Sequence, residues 1–266
     1  MRTGSCPPSE PLVSKRPQTA PGESAHAAED LARELLGALE SHANHSNAEG
    51  MARYGISPEG TLGVSMPAVR ELARDTKRRL GRGSEELRHV VAGELWASGV
   101  HEARILAALL DVPALVDEAQ MERWALDLDS WDVCDQLCGS LFDKSPLAWD
   151  KAVAWSGRDE EFVKRAGFVL MTQLAVHDKR ADDDSFRPFL DPIACECTDD
   201  RPMVKKAVNW ALRQIGKRNN TLRAEAISVA ERILAEHSDS TAARWIARDA
   251  LRELRSDAIV ARVSGR

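Results

Sequence analysis

Near its middle the chain reads Ser130-Trp131-Asp132-Val133-Cys134-Asp135-Gln136-Leu137. Ser130 is a good helix N-cap, because its hydroxyl can accept a free backbone N–H of the first turn. A helix that begins there places Trp131 and Asp135 four residues apart on one face. Asp132 falls in the first turn, where the helix dipole favours an acid, so its position has a purely structural explanation. The stretch therefore predicts a helix that carries an indole beside a carboxylate.

The pair formed by Trp131 and Asp135 has two interpretations. An apolar ring face next to an anion is suited to bind a cation, or to stabilise positive charge that develops during a reaction. The alternative is that Trp131 is an ordinary core residue and that Asp135 is a solvated or capping one. The spacing alone leaves both interpretations open.

Helical periodicity extends outward from this stretch in both directions. Leu31, Leu35 and Leu39 recur at helical spacing and predict an amphipathic first helix from about Ala27. Further helices are predicted near residues 84–97, 101–110, 113–127, 130–143, 146–155, 159–176, 185–197, 202–217, 222–236 and 240–254. No window alternates apolar and polar residues as a strand does, so essentially no sheet is expected. Two helices recur roughly every 35–45 residues, which is typical of an α-helical solenoid, with an irregular bundle as the alternative.

Composition divides the 266 residues into a tail, a domain and a second tail. Residues 1–25 are rich in Pro, Ser and Thr and predict a disordered tail, because they bury too little apolar surface to offset the entropy of ordering. Residues 26–256 are predicted to form one α-helical repeat domain. Residues 257–266 are predicted to be a C-terminal tail.

A soluble intracellular protein is expected from composition. Charged residues make up 29% and hydrophobic ones 43% of the chain, and no apolar run approaches the roughly 20 residues of a membrane span. The first 25 residues contain no apolar signal-peptide core, so a cytoplasmic location is expected. Cys134 and Cys138, like Cys195 and Cys197, lack a second pair at zinc-site spacing, which favours free thiols over a metal site.

Charge is distributed unevenly along the chain. Residues 201–266 contain fourteen Lys/Arg and seven Asp/Glu, a balance of +7, which leaves −13 for residues 1–200 out of the net −6. A basic C-terminal quarter in an acidic protein can present a basic face to a polyanion. The alternative is that its arginines are scattered over solvated helix faces, and the sequence does not decide between the two.

Two later helices also place cations beside apolar residues. Arg165 lies at the edge of an apolar face, where it either pairs with Glu161 at i, i+4 or directs its guanidinium at a phosphate. Lys206, Trp210 and Arg213 lie at i, i+4 and i+7 and share one helix face. Such a face suits nucleic acid, with cations on phosphates and the ring against sugar or base. The alternative is a half-buried Trp with solvated cations beside it.

Five segments, taken together and in order, resemble the AlkD-type DNA alkylation repair glycosylases: Met51–Tyr54, Gly63–Lys77, Ser130–Leu137, Val163–Leu170 and Val204–Arg213. Those proteins are all-α and built of HEAT-like repeats. The resemblance implies a curved solenoid whose concave basic face grips the DNA backbone. It also implies hydrolysis of the N-glycosidic bond of cationic N3- or N7-alkylated purines in duplex DNA. The Pro-rich tail before His26 has no counterpart in the family core.

The resemblance also implies roles for individual residues. Asp135 matches the family's catalytic carboxylate, and Trp131 and Trp210 match its two cleft tryptophans. Arg165 matches its phosphate-contacting arginine, and Tyr54 matches its N-terminal aromatic residue. The helix pattern adds Lys206 and Arg213 as candidate DNA contacts.

The chemistry of a cationic purine requires neither a metal nor a cofactor. The alkylated base is already charged and leaves without a general acid, so one carboxylate near C1′ suffices to stabilise the oxocarbenium-like sugar and orient a water. The expected partner is double-stranded DNA with alkylated bases, bound by a monomer and without a membrane. The alternative is a catalytically silent HEAT-like module that binds DNA or a protein. A silent relative is expected to lose the carboxylate that this chain keeps at Asp135.

Overall fold

The computed structural model describes residues 21–264, and every regular element within them is helical. This agrees with the predicted all-α class. The predicted N-terminal tail lies mostly outside the described residues, and the described chain opens with a helix that begins at Pro21. No helix in residues 21–264 is both long enough and apolar enough to cross a membrane.

The α-helices of the described residues follow one another with mostly short connections, and the segment of residues 53–65 between α2 and α3 is the exception. They are α1 Pro21–Ser41, α2 His45–Ala52, α3 Met66–Leu80, α4 Glu85–Ala97, α5 His101–Leu110, α6 Glu118–Leu126, α7 Trp131–Ser140, α8 Ala148–Ser156, α9 Glu161–His177, α10 Asp183–Phe186, α11 Leu190–Cys195, α12 Pro202–Gly216, α13 Asn220–Glu236, α14 Thr241–Leu254 and α15 Asp257–Ser264.

The region predicted as one helix at residues 185–197 is instead broken into short pieces. Helices α10 and α11 are separated and followed by single 3-10 turns. Pro188 and Pro192 are the physical reason, because proline has no backbone N–H and its ring clashes with the preceding helical turn.

Helix α7 begins at Trp131 as predicted, but its cap differs from the prediction. Ser130 occupies the N-cap position with an extended backbone, yet its buried hydroxyl makes no capping hydrogen bond. The acidic side chain of Asp132 lies in the first turn instead, where a negative charge stabilises the positive end of the helix dipole.

Alternate helices stack side by side and form an inner layer, which we define as α5, α7, α9, α12 and α14. Hydrogen bonds show that neighbours run parallel. In α7 and α9, the thiol of Cys134 meets the Phe162 carbonyl and that of Cys138 meets the Ala166 carbonyl. Each partner advances by four residues, which only a parallel pair allows. The helices between them, such as α8 and α13, pack behind this layer.

Close packing between the two layers is clearest where α8 meets α9. A Cβ built at Gly167 lies 2.5 Å from the Ser156 backbone nitrogen, so only glycine fits at this crossing. Nearby, the indoles of Trp96 and Trp124 stack with centroids 4.2 Å apart, and Phe142 bridges Trp124 to Trp155. These buried rings form the centre of the core.

The carboxylate of Glu102 is one of the groups that attach the N-terminal helices to the inner layer. The buried side chain of Glu102 on α5 accepts hydrogen bonds from the backbone N–H groups of Leu62, Gly63 and Val64, at 2.9, 2.6 and 3.1 Å. These residues belong to the segment between α2 and α3 that also carries Tyr54. The carboxylate therefore fixes the position of that segment over the inner layer.

The C-terminal segment predicted as a tail is folded in the structure. Residues Asp257–Ser264 form α15, and Ile259 and Val263 are buried against α13 and α14. Two apolar residues four positions apart lie on one face of a helix. The predicted boundary at residue 257 rested on composition and did not take this spacing into account.

Candidate active site

Four inner helices and the α2–α3 region surround an open cleft that contains Asp135. A cavity of about 770 Å³ is lined by residues of the α2–α3 region, of α5, α7 and α9, and by one residue of α12. Trp131, Asp135 and Trp210 all line it, so the structure brings together the three predicted catalytic residues. A second cavity of about 560 Å³ adjoins it and is lined by Tyr54, Trp131, Asp135, Arg165 and Lys206, among others.

The carboxylate of Asp135 is gripped by a guanidinium. Nη2 of Arg165 lies 2.9 Å from Oδ1 and 3.0 Å from Oδ2 of Asp135, and Nε lies 3.2 Å from Oδ1. Nη1 of Arg165 donates to the Met203 carbonyl at 2.6 Å. The alternative pairing of Arg165 with Glu161 is therefore wrong: the guanidinium crosses to α7 and α12 and is only 5% exposed. All three nitrogens of the Arg165 guanidinium already donate to Asp135 or Met203. The predicted phosphate contact would therefore involve the part of Arg165 that lines the second cavity.

Burial determines the protonation of Asp135. Loss of solvation raises the pKa of its carboxyl to about 6, because burial outweighs the lowering effect of the Arg165 charge and hydrogen bonds. The nearby charge of Asp132 raises the pKa of Asp135 further, as a smaller effect. At neutral pH the group is ionised, and it is a stronger base than an ordinary carboxylate.

Both cleft tryptophans are half-buried and held by their indole N–H groups. Nε1 of Trp131 donates to the Tyr54 carbonyl at 3.0 Å, which connects α7 to the segment after α2. With the Gln214 amide oriented so that its oxygen faces Trp210, that indole donates to it at 3.1 Å. Tyr54 itself is 69% exposed at the mouth of the cleft. The rings therefore have fixed orientations and accessible faces.

The two candidate cations on α12 differ in their surroundings. Lys206 is exposed, lines the second cavity and makes no ion pair with any described residue. Arg213 lines neither cavity, and its Nη1 forms ion pairs on α14 with Glu253 at 2.7 Å and with Asp249 at 3.3 Å. The three residues predicted to share one DNA-binding face therefore have different surroundings. Lys206 and Trp210 line the cavities, whereas Arg213 is paired with carboxylates of the neighbouring inner helix.

His101 was not predicted as a site residue, and Asp132 was predicted only to stabilise the start of its helix. Nε2 of His101 lies 2.9 Å from Oδ2 of Asp132, and both side chains line the larger cavity beside Asp135. Burial lowers the pKa of His101, but the Asp132 hydrogen bond and nearby carboxylate charges outweigh it and raise the pKa overall. Burial likewise opposes ionisation of Asp132, and its bond to His101 lowers the pKa of Asp132 overall. The pairing across 31 residues leaves no local signal in the sequence.

The family model described as DNA alkylation repair enzyme matches residues 35–254. The chain belongs to this family. The match spans all of the predicted site residues, from Tyr54 to Arg213. No curated protein sequence matches the chain.

A solved structure supports the fold of this DNA alkylation repair family member. It is described as "A new family of proteins related to the HEAT-like repeat DNA glycosylases with affinity for branched DNA structures". It aligns with a TM-score of 0.61 and 21% identity over 75% of this chain and 81% of that chain. The likeness at this identity concerns the fold, and it confirms the predicted HEAT-like solenoid.

Proposed function

We propose that this DNA alkylation repair family member is a monofunctional glycosylase that excises cationic N3- or N7-alkylated purines from duplex DNA and so begins base excision repair. One observation carries the proposal: a half-buried carboxylate, Asp135, lies in the same cleft as the side chains of Trp131 and Trp210. An anion and two π faces form a receptor for positive charge in the sugar and base.

The proposed reaction needs only groups of this chain and water. The C1′–N bond breaks and its electron pair leaves with the purine, which neutralises the positive charge of the alkylated ring. The carboxylate of Asp135 stabilises the oxocarbenium-like sugar and accepts a proton from the water whose oxygen bonds to C1′. The products are a neutral alkylated base and an abasic site. Each indole adds cation–π attraction of about 0.5–2 kcal/mol, depending on desolvation.

The contacts of the cleft suggest how DNA is held. Tyr54 and Lys206 are exposed beside the site and are proposed to meet the backbone. Arg165 is proposed to orient the Asp135 carboxylate, and a phosphate contact by the same guanidinium stays a prediction. Action as a monomer stays a prediction.

The decisive test is release of 7-methylguanine or 3-methyladenine from methylated duplex DNA in the presence of a metal chelator. Asp135→Asn should lose most of the activity while it binds DNA about as well as the wild type. Asparagine keeps an oxygen that can accept from Arg165, so the fold and the binding surface should persist. Absence of any base release by the wild type at every salt concentration would exclude the glycosylase, and a fully active Asp135→Asn would exclude the role of Asp135.

A catalytically silent DNA-binding module is the second candidate. The ion pair with Arg165 favours the silent module, because a carboxylate that accepts from both Nε and Nη2 has fewer free lone pairs for a water. The similar solved structure is described as having affinity for branched DNA. A silent module would bind a four-way junction or a fork tightly and would release no base. Its Asp135→Asn variant would bind these DNA probes as tightly as the wild type.

A further inference from the structure

An exposed tryptophan lies outside the cleft, on the last inner helix. Trp245 on α14 is 41% exposed, although most large apolar side chains of the described residues are buried. Nζ of Lys205 on α12 lies 5.4 Å from the centroid of its ring. The ammonium stabilises the indole from one side by cation–π attraction and leaves exposed ring surface to solvent. The plain alternative is an amphipathic Trp that merely covers the end of the core.

No carboxylate of the described residues forms an ion pair with Lys205, Lys206 or Arg248, the cations around Trp245. Arg248 lies one turn further along α14, is exposed, and makes no ion pair with any described residue. Lys206, next to Lys205 on α12, is likewise exposed and unpaired. The nearest acid in sequence, Asp249, is occupied by Arg213, Arg252 and Asn209. The positive charge of this surface is therefore not neutralised.

The register of the inner layer connects this surface to the cleft. Asn209 contacts Asp249 and Arg213 contacts Glu253, each across 40 residues, so α12 and α14 run parallel and in step. The Lys205–Trp245 contact has the same separation and lies one turn nearer the helix N-termini. Trp245 thus lies one helix beyond Lys206 along the row α7, α9, α12, α14.

We propose that Lys205, Trp245 and Arg248 form a second nucleic-acid contact, which holds an unstacked nucleotide on a strand that leaves the cleft. The indole stacks on the base, and the cations of Lys205 and Arg248 contact the flanking phosphates. A duplex hides its base faces, so an exposed ring favours single-stranded DNA at this position, whereas cations alone would suit any phosphate backbone. The inference rests on the proposed DNA binding and is independent of base release.

The test compares DNA probes that share one duplex. Fluorescence anisotropy would measure Kd for a blunt duplex and for the same duplex with a single-stranded overhang at either end. The wild type should bind one of the tailed duplexes more tightly, by about tenfold, which is within the range for stacking of one base on an aromatic ring. Trp245→Ala should abolish this preference and leave the Kd for the blunt duplex unchanged. Arg248→Ala should reduce the preference and its dependence on salt.

Two further variants make the outcome decisive. Trp245→Phe retains a ring and should retain part of the preference, which separates stacking from a loss of folding. Arg232→Ala on α13 removes another exposed, unpaired cation, away from the inner layer, and should change nothing. A wild type that binds blunt and tailed duplexes equally would overturn the proposal, as would a Trp245→Ala that weakens both by the same factor. Anisotropy measures binding and does not depend on catalysis. If the protein releases no base but still prefers the tailed duplex, the proposed glycosylase function fails and the second DNA contact stands.

Discussion

Asp135 is both largely desolvated and paired, and the two conditions act on its proton in opposite directions. Burial penalises the charged form, and Arg165 favours it, with burial the larger of the two. The result is a carboxylate that is ionised at neutral pH yet more basic than usual. Such a group can accept a proton from water more readily than a solvated aspartate can.

The pH dependence of base release should report this balance. In the wild type, activity should rise as Asp135 ionises with a pKa of about 6 and then level off. Arg165→Ala removes the charge that lowers this pKa, so the acidic limb of the profile should move to higher pH. The measurement is kcat/KM for base release between pH 5 and 9 in both proteins. An acidic limb that does not move in Arg165→Ala would show that another group sets it.

The charges of His101 and Asp132 should also shift the acidic limb of the pH profile of base release. The charge of Asp132 raises the pKa of Asp135, so Asp132→Asn should move the limb to lower pH. His101→Gln leaves the Asp132 charge without its cationic partner and should move the limb to higher pH. Pre-steady-state rates of base release for the two single variants and the double variant would separate the contributions. If the double variant does not resemble Asp132→Asn, then His101 acts by another route.

Helices α8 and α9 approach each other closely at Gly167. Gly167→Ala should lower the free energy of unfolding by about 1–3 kcal/mol, because its Cβ would overlap backbone atoms that cannot rotate away. Gly93→Ala on α4 is the matched control: an added Cβ there meets nothing within 4 Å. That variant should be stabilised by roughly 0.5–1 kcal/mol through helix propensity. Urea denaturation of both proteins would test the pair, and equal effects would contradict the packing argument.

The sequence predicts helices well and predicts contacts between them poorly. Helix α5 spans the predicted residues 101–110, because apolar periodicity and a break at Gly99 are local signals. The pairing of Asp135 with Arg165 is not local: it joins helices 30 residues apart, and its geometry depends on how α7 and α9 stack. The cleft residues were predicted from a family resemblance. The ion pairs of Arg213 with α14 could not be predicted, because they depend on how α12 and α14 stack.

For the whole molecule, an acidic chain is proposed to bind a polyanion through a few free cations. Lys206→Ala should therefore lower the slope of log Kd against log salt by about 0.9, the value for one phosphate contact on duplex DNA. Arg213→Ala should leave the slope nearly unchanged, since its guanidinium is already held by Glu253 and Asp249. Titrations of a blunt duplex at several salt concentrations would compare them. Equal slopes for the two variants would show that exposure does not identify the phosphate contacts.

Helix α15 covers apolar surface at one end of the helix stack. The outermost pair of helices in a stack of repeats has an apolar face that no further repeat covers. Ile259 and Val263 are buried against α13 and α14, so α15 takes the place of that repeat among the described residues. Removal of these two side chains would expose an apolar patch, and such patches favour association between copies.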